Sequence, residues 1–164
     1  MNVDHIIDVC NRRCVAFILI GGMNFMLRHA PVLTYDVDLW IEDTPENLAN
    51  TERALAELNA EWGNTDADWG PVDKKPADWL SGQAVFCLTS PFGAIDVFRT
   101  VRGLAGWRDS FSRAVSARTA AGVPYVALSD EDMLRCQYAL DESSRNRDRI
   151  AHLEAVLERS RAQP

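Results

Sequence analysis

The sequence lacks the features that mark several specialised classes of protein. Its 164 residues contain no low-complexity segment and no internal repeat, which favours a compact domain. Charged residues make up 25% of the chain and apolar residues 47%, so a hydrophobic core can form and extensive disorder is not expected. This length suits one ordinary domain, and we expect residues 1–164 to form a single domain.

Paired cysteines and long apolar runs are also missing. None of the four cysteines belongs to a CxxC pair, and we interpret them as buried small apolar residues in a reducing compartment. The most apolar run extends from Cys14 to Leu27, which is shorter than the roughly 20 residues that span a bilayer. We therefore expect a cytoplasmic protein that does not cross a membrane.

Positive charge is scarce, with 17 basic and 24 acidic residues and a formal net charge of −7. A surplus of acidic residues repels the phosphate backbone, which argues against general nucleic-acid binding. A metal-bound anionic ligand is still compatible with this charge, because the local charge at a site matters more than the sum.

The spacing of apolar residues predicts helices over 3–13, 23–29, 45–59, 107–114, from 130 onward, and over 145–159. It predicts strands over 15–20, 34–41, 84–89, 94–98, 114–119 and 124–127. Residues 62–82 are interpreted as a long connection that could include a short strand. Its tryptophans Trp62, Trp69 and Trp79 are interpreted as anchors in the core or loop, and the alternative is that they line a pocket for a base or an acceptor. This order predicts an α/β or α+β domain with a mixed sheet flanked by helices and closed by C-terminal helices.

Two acidic residues interrupt the strand predicted over 34–41. Asp36 and Asp38 are two residues apart, so both side chains lie on one face of the strand. Adjacent carboxylates repel each other unless a cation or proton lies between them, and Mg²⁺ takes one or two carboxylates plus substrate phosphates. The alternative is an exposed strand end with two solvated acids.

Asp96 interrupts a second apolar strand, Ile95-Asp96-Val97. If the two strands are neighbours, three carboxylates converge and could hold two metal ions, which would activate an attacking oxygen and stabilise a leaving phosphate. The alternative is a solvated acid at a strand edge.

Gly21 and Gly22 separate a buried strand from a helix. Without a Cβ they would allow a phosphate group to approach the free N–H groups at the helix start. The alternative is a tight strand-to-helix turn with no ligand.

Basic residues follow two of these segments. Arg99 and Arg102 come after the Asp96 strand and could reach a phosphate, although solvation or ion pairing is the favoured interpretation. Arg145, Arg147 and Arg149 are interpreted as the solvated start of the last helix.

Together these residues resemble the nucleotidyltransferase superfamily. The stretch FILIGGMNFMLRHAPVLTYDVDLWI shows a glycine pair at a helix start followed by a DxD strand, and AIDVF matches a later strand with a third Asp. The tail, VALSDEDMLRCQYAL followed by Arg147-Asp148, resembles small members of this group, which include abortive-infection-type toxins and antibiotic nucleotidyltransferases.

The resemblance implies roles for these residues. Asp36 and Asp38 would bind Mg²⁺, Asp96 would complete a site that can hold two metal ions and act as a base, and the glycine pair would contact the triphosphate. The implied reaction is transfer of a nucleoside monophosphate from an NTP, such as ATP, to an acceptor hydroxyl. The acceptor could be a small molecule, a tRNA or a protein.

The sequence departs from this family pattern in two places. Val32 occupies a position where several relatives have an Arg, and the usual Lys of the penultimate helix is absent, with Arg135 nearest. These departures leave open a catalytically inactive module, antitoxin-like or regulatory, that binds a nucleotide or a partner protein. A third option is an α/β protein whose acids are solvated and lie apart.

Overall fold

The computed structural model describes residues 1–162. Within them it contains these helices: α1 (Val3–Arg12), α2 (Gly21–Arg28), α3 (Pro45–Glu57), α4 (Trp107–Phe111), α5 (Asp130–Ala139) and α6 (Arg147–Ala162). The strands are β1 (Phe17–Leu19), β2 (Asp36–Ile41), β3 (Glu61–Trp62), β4 (Gly70–Pro71), β5 (Val85–Leu88), β6 (Ala94–Phe98), β7 (Val115–Arg118) and β8 (Pro124–Ala127).

Six strands form one mixed sheet in the order β5-β6-β2-β1-β8-β7. The central strand β2 runs antiparallel to β1 and parallel to β6. The β2–β6 register places Asp36 opposite Ala94 and Asp38 opposite Asp96. The predicted mixed sheet flanked by helices is therefore confirmed, and the two strands that carry the acidic residues are neighbours.

Apolar packing covers both faces of the sheet. On one face Val37, Leu39 and Ile41 of β2 belong to a core that includes α1 and α3. On the other face Trp40 belongs to a second cluster, which Leu153 of α6 joins. The predicted alternation along β2 is confirmed, and the acidic residues share the face that the C-terminal helices cover.

Several predicted boundaries were wrong by a few residues. β1 is limited to three residues because Cys14 adopts a positive φ of 56° at the preceding turn and Ile20 already caps α2. α2 therefore begins at Gly21 rather than at residue 23. β2 begins at Asp36, where pairing with β6 starts, and not at residue 34.

The connection over residues 62–82 is partly structured. It contains the short β3–β4 pair and two single 3-10 turns, at Val72–Lys74 and Trp79–Ser81. Trp62 is buried and stacks on Trp79 at 5.2 Å, so the interpretation of these two residues as anchors is confirmed. Trp69 is exposed and anchors nothing in the core.

The last helix begins later and extends further than the predicted range of 145–159. Asn146 accepts a hydrogen bond from the backbone N–H of Arg149 at 2.9 Å, which caps the helix start. Leu153 is fully buried and fixes α6 against α5 and the sheet. No helix within residues 1–162 is both long and apolar enough to cross a membrane.

Candidate metal and nucleotide site

The three acidic side chains meet at the centre of the sheet. Asp36, Asp38 and Asp96 are each partly buried, and each offers a carboxylate oxygen within 4.8 Å of the others. Their meeting follows from the fold, because β2 and β6 are paired in parallel with Asp38 directly opposite Asp96. This geometry contradicts the option of three separate solvated acids.

No basic side chain within residues 1–162 forms an ion pair with these carboxylates. Arg28 pairs with Asp130 and Arg99 with Asp43, whereas Arg149 lies near Asp38 without forming an ion pair. Three converging carboxylates without a paired base carry a charge that is compensated only in part. Oxygen ligands in this number and spacing fit a hard divalent cation such as Mg²⁺.

The glycine pair lies directly against this cluster. Gly21 has a φ of +66°, and a Cβ added there would lie 1.8 Å from Asp38 Oδ2. A Cβ on Gly22 would lie 2.7 Å from Thr34 Oγ1, a hydroxyl that donates to Asp36 Oδ1 at 3.0 Å. Gly21 is therefore required by the close approach of Asp38, and a side chain at Gly22 would displace Thr34, whether or not a phosphate approaches the helix start.

The pKa of Asp38 is raised from 3.8 to about 7. Burial is the main cause, and the negative charges of Asp36 and Asp96 add to it. The backbone N–H of Gly22 and the charge of Arg149 oppose the rise. A bound cation would remove this penalty, because it favours the ionised carboxylate.

The pKa of Asp96 is also raised, first by burial and then by the charge of Asp36. Its cross-strand neighbour is Cys87 of β5, whose thiol partly offsets the rise. Cys87 is exposed, as is Cys14, so the expectation of buried cysteines holds for Cys10 but not for these two. A carboxylate with a raised pKa is suited to accept a proton near neutral pH.

Arg99 lies at the other end of β6 from the carboxylate cluster. Its guanidinium donates two hydrogen bonds to Asp43 and two more to the carbonyls of Ser81 and Gln83. It thereby ties the end of the 62–82 connection to the sheet. Its predicted contact with phosphate stays a prediction, and most of its donors already have partners.

Arg149 is the residue that sequence reasoning missed. It lines a cavity of about 140 Å³ together with Gly21 and Asp38, although the sequence indicated a solvated side chain. Arg147, two residues earlier, is exposed as expected, with 85% of its side chain accessible. A signal was present, since Arg149 precedes the buried Leu153 by one helical turn and therefore shares its face.

Val32 lies beside the same arginine. Val32 and Arg149 both line a cavity of about 440 Å³, together with Phe25, Leu33 and His152. The position where several relatives would have an Arg is thus occupied by an apolar side chain next to an arginine from a different element.

Comparison with known proteins yields structural but no sequence relatives. No protein-family model matches the chain, and no curated protein matches it. The structure is similar to that of ANT(2″)-Ia in complex with adenylyl-2″-tobramycin, with a TM-score of 0.60, 14% identity, and coverage of 95% of this chain and 87% of that one.

A second similar structure is the lincosamide antibiotic adenylyltransferase LnuA bound to lincomycin. The TM-score is 0.59 at 13% identity, and the match covers 91% of this chain and 92% of that one. At such low identity the likeness concerns the fold, which extends over nearly the whole of both chains. This chain has a nucleotidyltransferase-like fold.

Proposed function

We propose that the protein transfers a nucleoside monophosphate from an NTP to an acceptor hydroxyl in a reaction that depends on Mg²⁺. The observation that carries this proposal is the convergence of Asp36, Asp38 and Asp96, whose carboxylate oxygens lie within 4.8 Å of one another. The nucleotidyltransferase-like fold supports the same chemistry.

In this proposal Asp36 and Asp38 would hold the metal, and Asp96 would complete the site. A bound divalent cation would supply charge neutralisation at the α-phosphate and at the departing pyrophosphate. The acceptor oxygen forms a bond to the α-phosphorus while the bond from that phosphorus to the pyrophosphate oxygen breaks. Asp96 accepts the hydroxyl proton, a role that its raised pKa favours.

The start of α2 is proposed to receive the phosphate groups. The backbone N–H groups near Gly22 are unobstructed by a Cβ, and the helix start carries partial positive charge. The Gly22 N–H also faces Asp38, so the same backbone segment orients a metal-binding carboxylate.

The reaction can be tested with purified protein, Mg²⁺, each NTP, and a panel of acceptors that includes tobramycin, lincomycin, tRNA and protein. Pyrophosphate release and transfer of an α-phosphate label are the readouts. We expect Asp38→Asn to lower the rate by at least about 100-fold. Asp73→Asn, which removes an exposed acid far along the chain, is the matched control.

The presence of Val32 supports a second candidate, a module that binds a nucleotide or a partner protein without turnover. An apolar residue there removes a charge that several relatives would place near the phosphates. Calorimetry separates the two candidates. Nucleotide binding that is independent of Mg²⁺ and is followed by no pyrophosphate release would support the second, whereas rapid pyrophosphate release would exclude it.

A further inference from the structure

Arg149 occupies an electrostatically unfavourable position. It lies in the first turn of α6, where the partial positive charge of the helix start disfavours a cation. Its side chain is also partly buried, and this burial lowers its pKa below the usual value. A basic side chain in such a place is stabilised only if an anion lies close to it.

Among residues 1–162 no carboxylate forms an ion pair with Arg149, and the charge of Asp38, which lines the same cavity, offsets the effect of burial only in part. The guanidinium of Arg149 forms no ion pair and donates no hydrogen bond to the described residues, and its Nε is buried without a partner. Other partly buried arginines have partners: Arg28 pairs with Asp130, Arg113 pairs with Asp132, and Arg145 donates hydrogen bonds to backbone carbonyls. Arg149 therefore retains donor groups for a ligand.

The side chain is nevertheless held in one place. Its Cζ lies over the Phe25 ring at 5.3 Å from the centroid, a cation–π contact with α2. Its Nη2 would lie 3.6 Å from a Cβ added to Gly22, so the guanidinium faces the start of α2. Asp38 lines the same cavity, so the guanidinium and one carboxylate of the cluster border a common space.

A polyphosphate in this space would be attracted both by Arg149 and by a metal ion held on the carboxylates. A metal ion on the carboxylates would repel Arg149, and an anion between the two cations removes that repulsion. A guanidinium presents a planar fork of donors that matches phosphate oxygens. The helix start at Gly22 adds a third source of positive potential on the same side.

From this geometry we propose that Arg149, projecting from α6 rather than from the position of Val32, binds the terminal phosphates of the bound nucleotide. The inference rests on the proposed function, because it assigns a residue to the same site. It also explains how the chain can dispense with an arginine at Val32, since a guanidinium reaches the neighbouring cavity from another element.

The test is calorimetric titration of the full chain with inorganic tripolyphosphate in the presence of Mg²⁺, followed by measurement of KM and kcat for NTPs. We expect Arg149→Gln to weaken tripolyphosphate binding and to raise KM, each by about 10- to 100-fold. Binding of the unphosphorylated nucleoside should be unchanged. Arg147→Gln, which alters an exposed arginine on the same helix, should bind tripolyphosphate like the wild type.

Arg149→Lys keeps the positive charge, so it provides a second test of the inference if Arg149→Gln does not fold. We expect it to lose about 3- to 10-fold in tripolyphosphate affinity, because an ammonium lacks the forked geometry. The inference would be overturned if Arg149→Lys and Arg149→Gln both bound tripolyphosphate with wild-type affinity. Equal loss of nucleoside and tripolyphosphate binding would overturn it too. In either case, transfer by the wild type would leave the proposed function intact. Tripolyphosphate binding without transfer to any acceptor would instead count against the proposed function alone.

Discussion

Asp38 packs so closely on Gly21 that a Cβ added to the glycine would lie only 1.8 Å from Asp38 Oδ2. The glycine also adopts a φ of +66°, which side-chain-bearing residues rarely adopt. A carboxylate of β2 thus packs directly on the first residue of α2. The position of the acidic side chain on β2 therefore depends on a glycine at the start of α2.

This contact predicts a large effect of Gly21→Ala. We expect the substitution to lower the free energy of unfolding by about 1–3 kcal/mol, because it combines an unfavourable φ with a displaced carboxylate. Metal binding should weaken as well, since Asp38 must move. Denaturant unfolding and calorimetry with Mn²⁺ measure the two effects.

Gly70→Ala is the control for this prediction, because a Cβ there meets open space and the backbone does not require glycine. It should leave both the free energy of unfolding and metal binding unchanged. Equal behaviour of the two variants would show that the contact between Gly21 and Asp38 does not exist in solution.

The raised pKa of Asp38 predicts how the stability of the metal-free protein depends on pH. Its pKa is about 7 in the folded state against 3.8 ordinarily, so between these values the folded protein keeps a proton that the unfolded chain releases. The free energy of unfolding should therefore fall as pH rises from about 4 to about 7. Asp38→Asn should flatten this slope, whereas Asp73→Asn should retain it.

Metal affinity should depend on pH in the opposite sense. A cation binds the ionised carboxylate, so below the pKa of Asp38, about 7, it must displace a proton. We expect Mg²⁺ or Mn²⁺ affinity to rise about tenfold per pH unit below that value and to level off above it. An affinity that stays constant between about pH 5 and about pH 8 would show that metal binding does not depend on ionisation of Asp38.

Arg99 is expected to stabilise the fold through its contacts with Asp43, Ser81 and Gln83. Arg99→Gln should lower the free energy of unfolding by about 1–2 kcal/mol, because it releases the end of the 62–82 connection. Arg102→Gln is the matched control, since Arg102 and its partner Asp141 are both exposed and 3.7 Å apart. An increase in KM for NTP without loss of stability would favour the phosphate role predicted for Arg99.

The alternation of acidic and apolar residues along β2 was sufficient to predict which side chains share a face. Val37 and Leu39 lie in the core opposite the acids, as the spacing indicated. The meeting of Asp38 with Asp96 could not be predicted from spacing, because it depends on parallel pairing of strands separated by a long connection. Only the family resemblance supplied that adjacency.

Arg149 shows why part of the site was missed. Three arginines alternate over residues 145–149, and charge alone does not distinguish them. Leu153, one helical turn after Arg149, sets which of them points inward. The predicted start at residue 145 also differed from the observed Arg147 by two residues. Boundaries depend on capping by Asn146 and on packing of Leu153, which apolar periodicity locates only approximately.

The most direct test of a metal-dependent nucleotide site is the anomalous diffraction signal of Mn²⁺ in crystals soaked with Mn²⁺ and a non-hydrolysable NTP. The account predicts an anomalous peak within coordination distance of carboxylate oxygens of Asp36, Asp38 and Asp96, with the triphosphate between that peak and Arg149. A nucleotide bound with no peak at these carboxylates, or a peak at another place on the molecule, would contradict it.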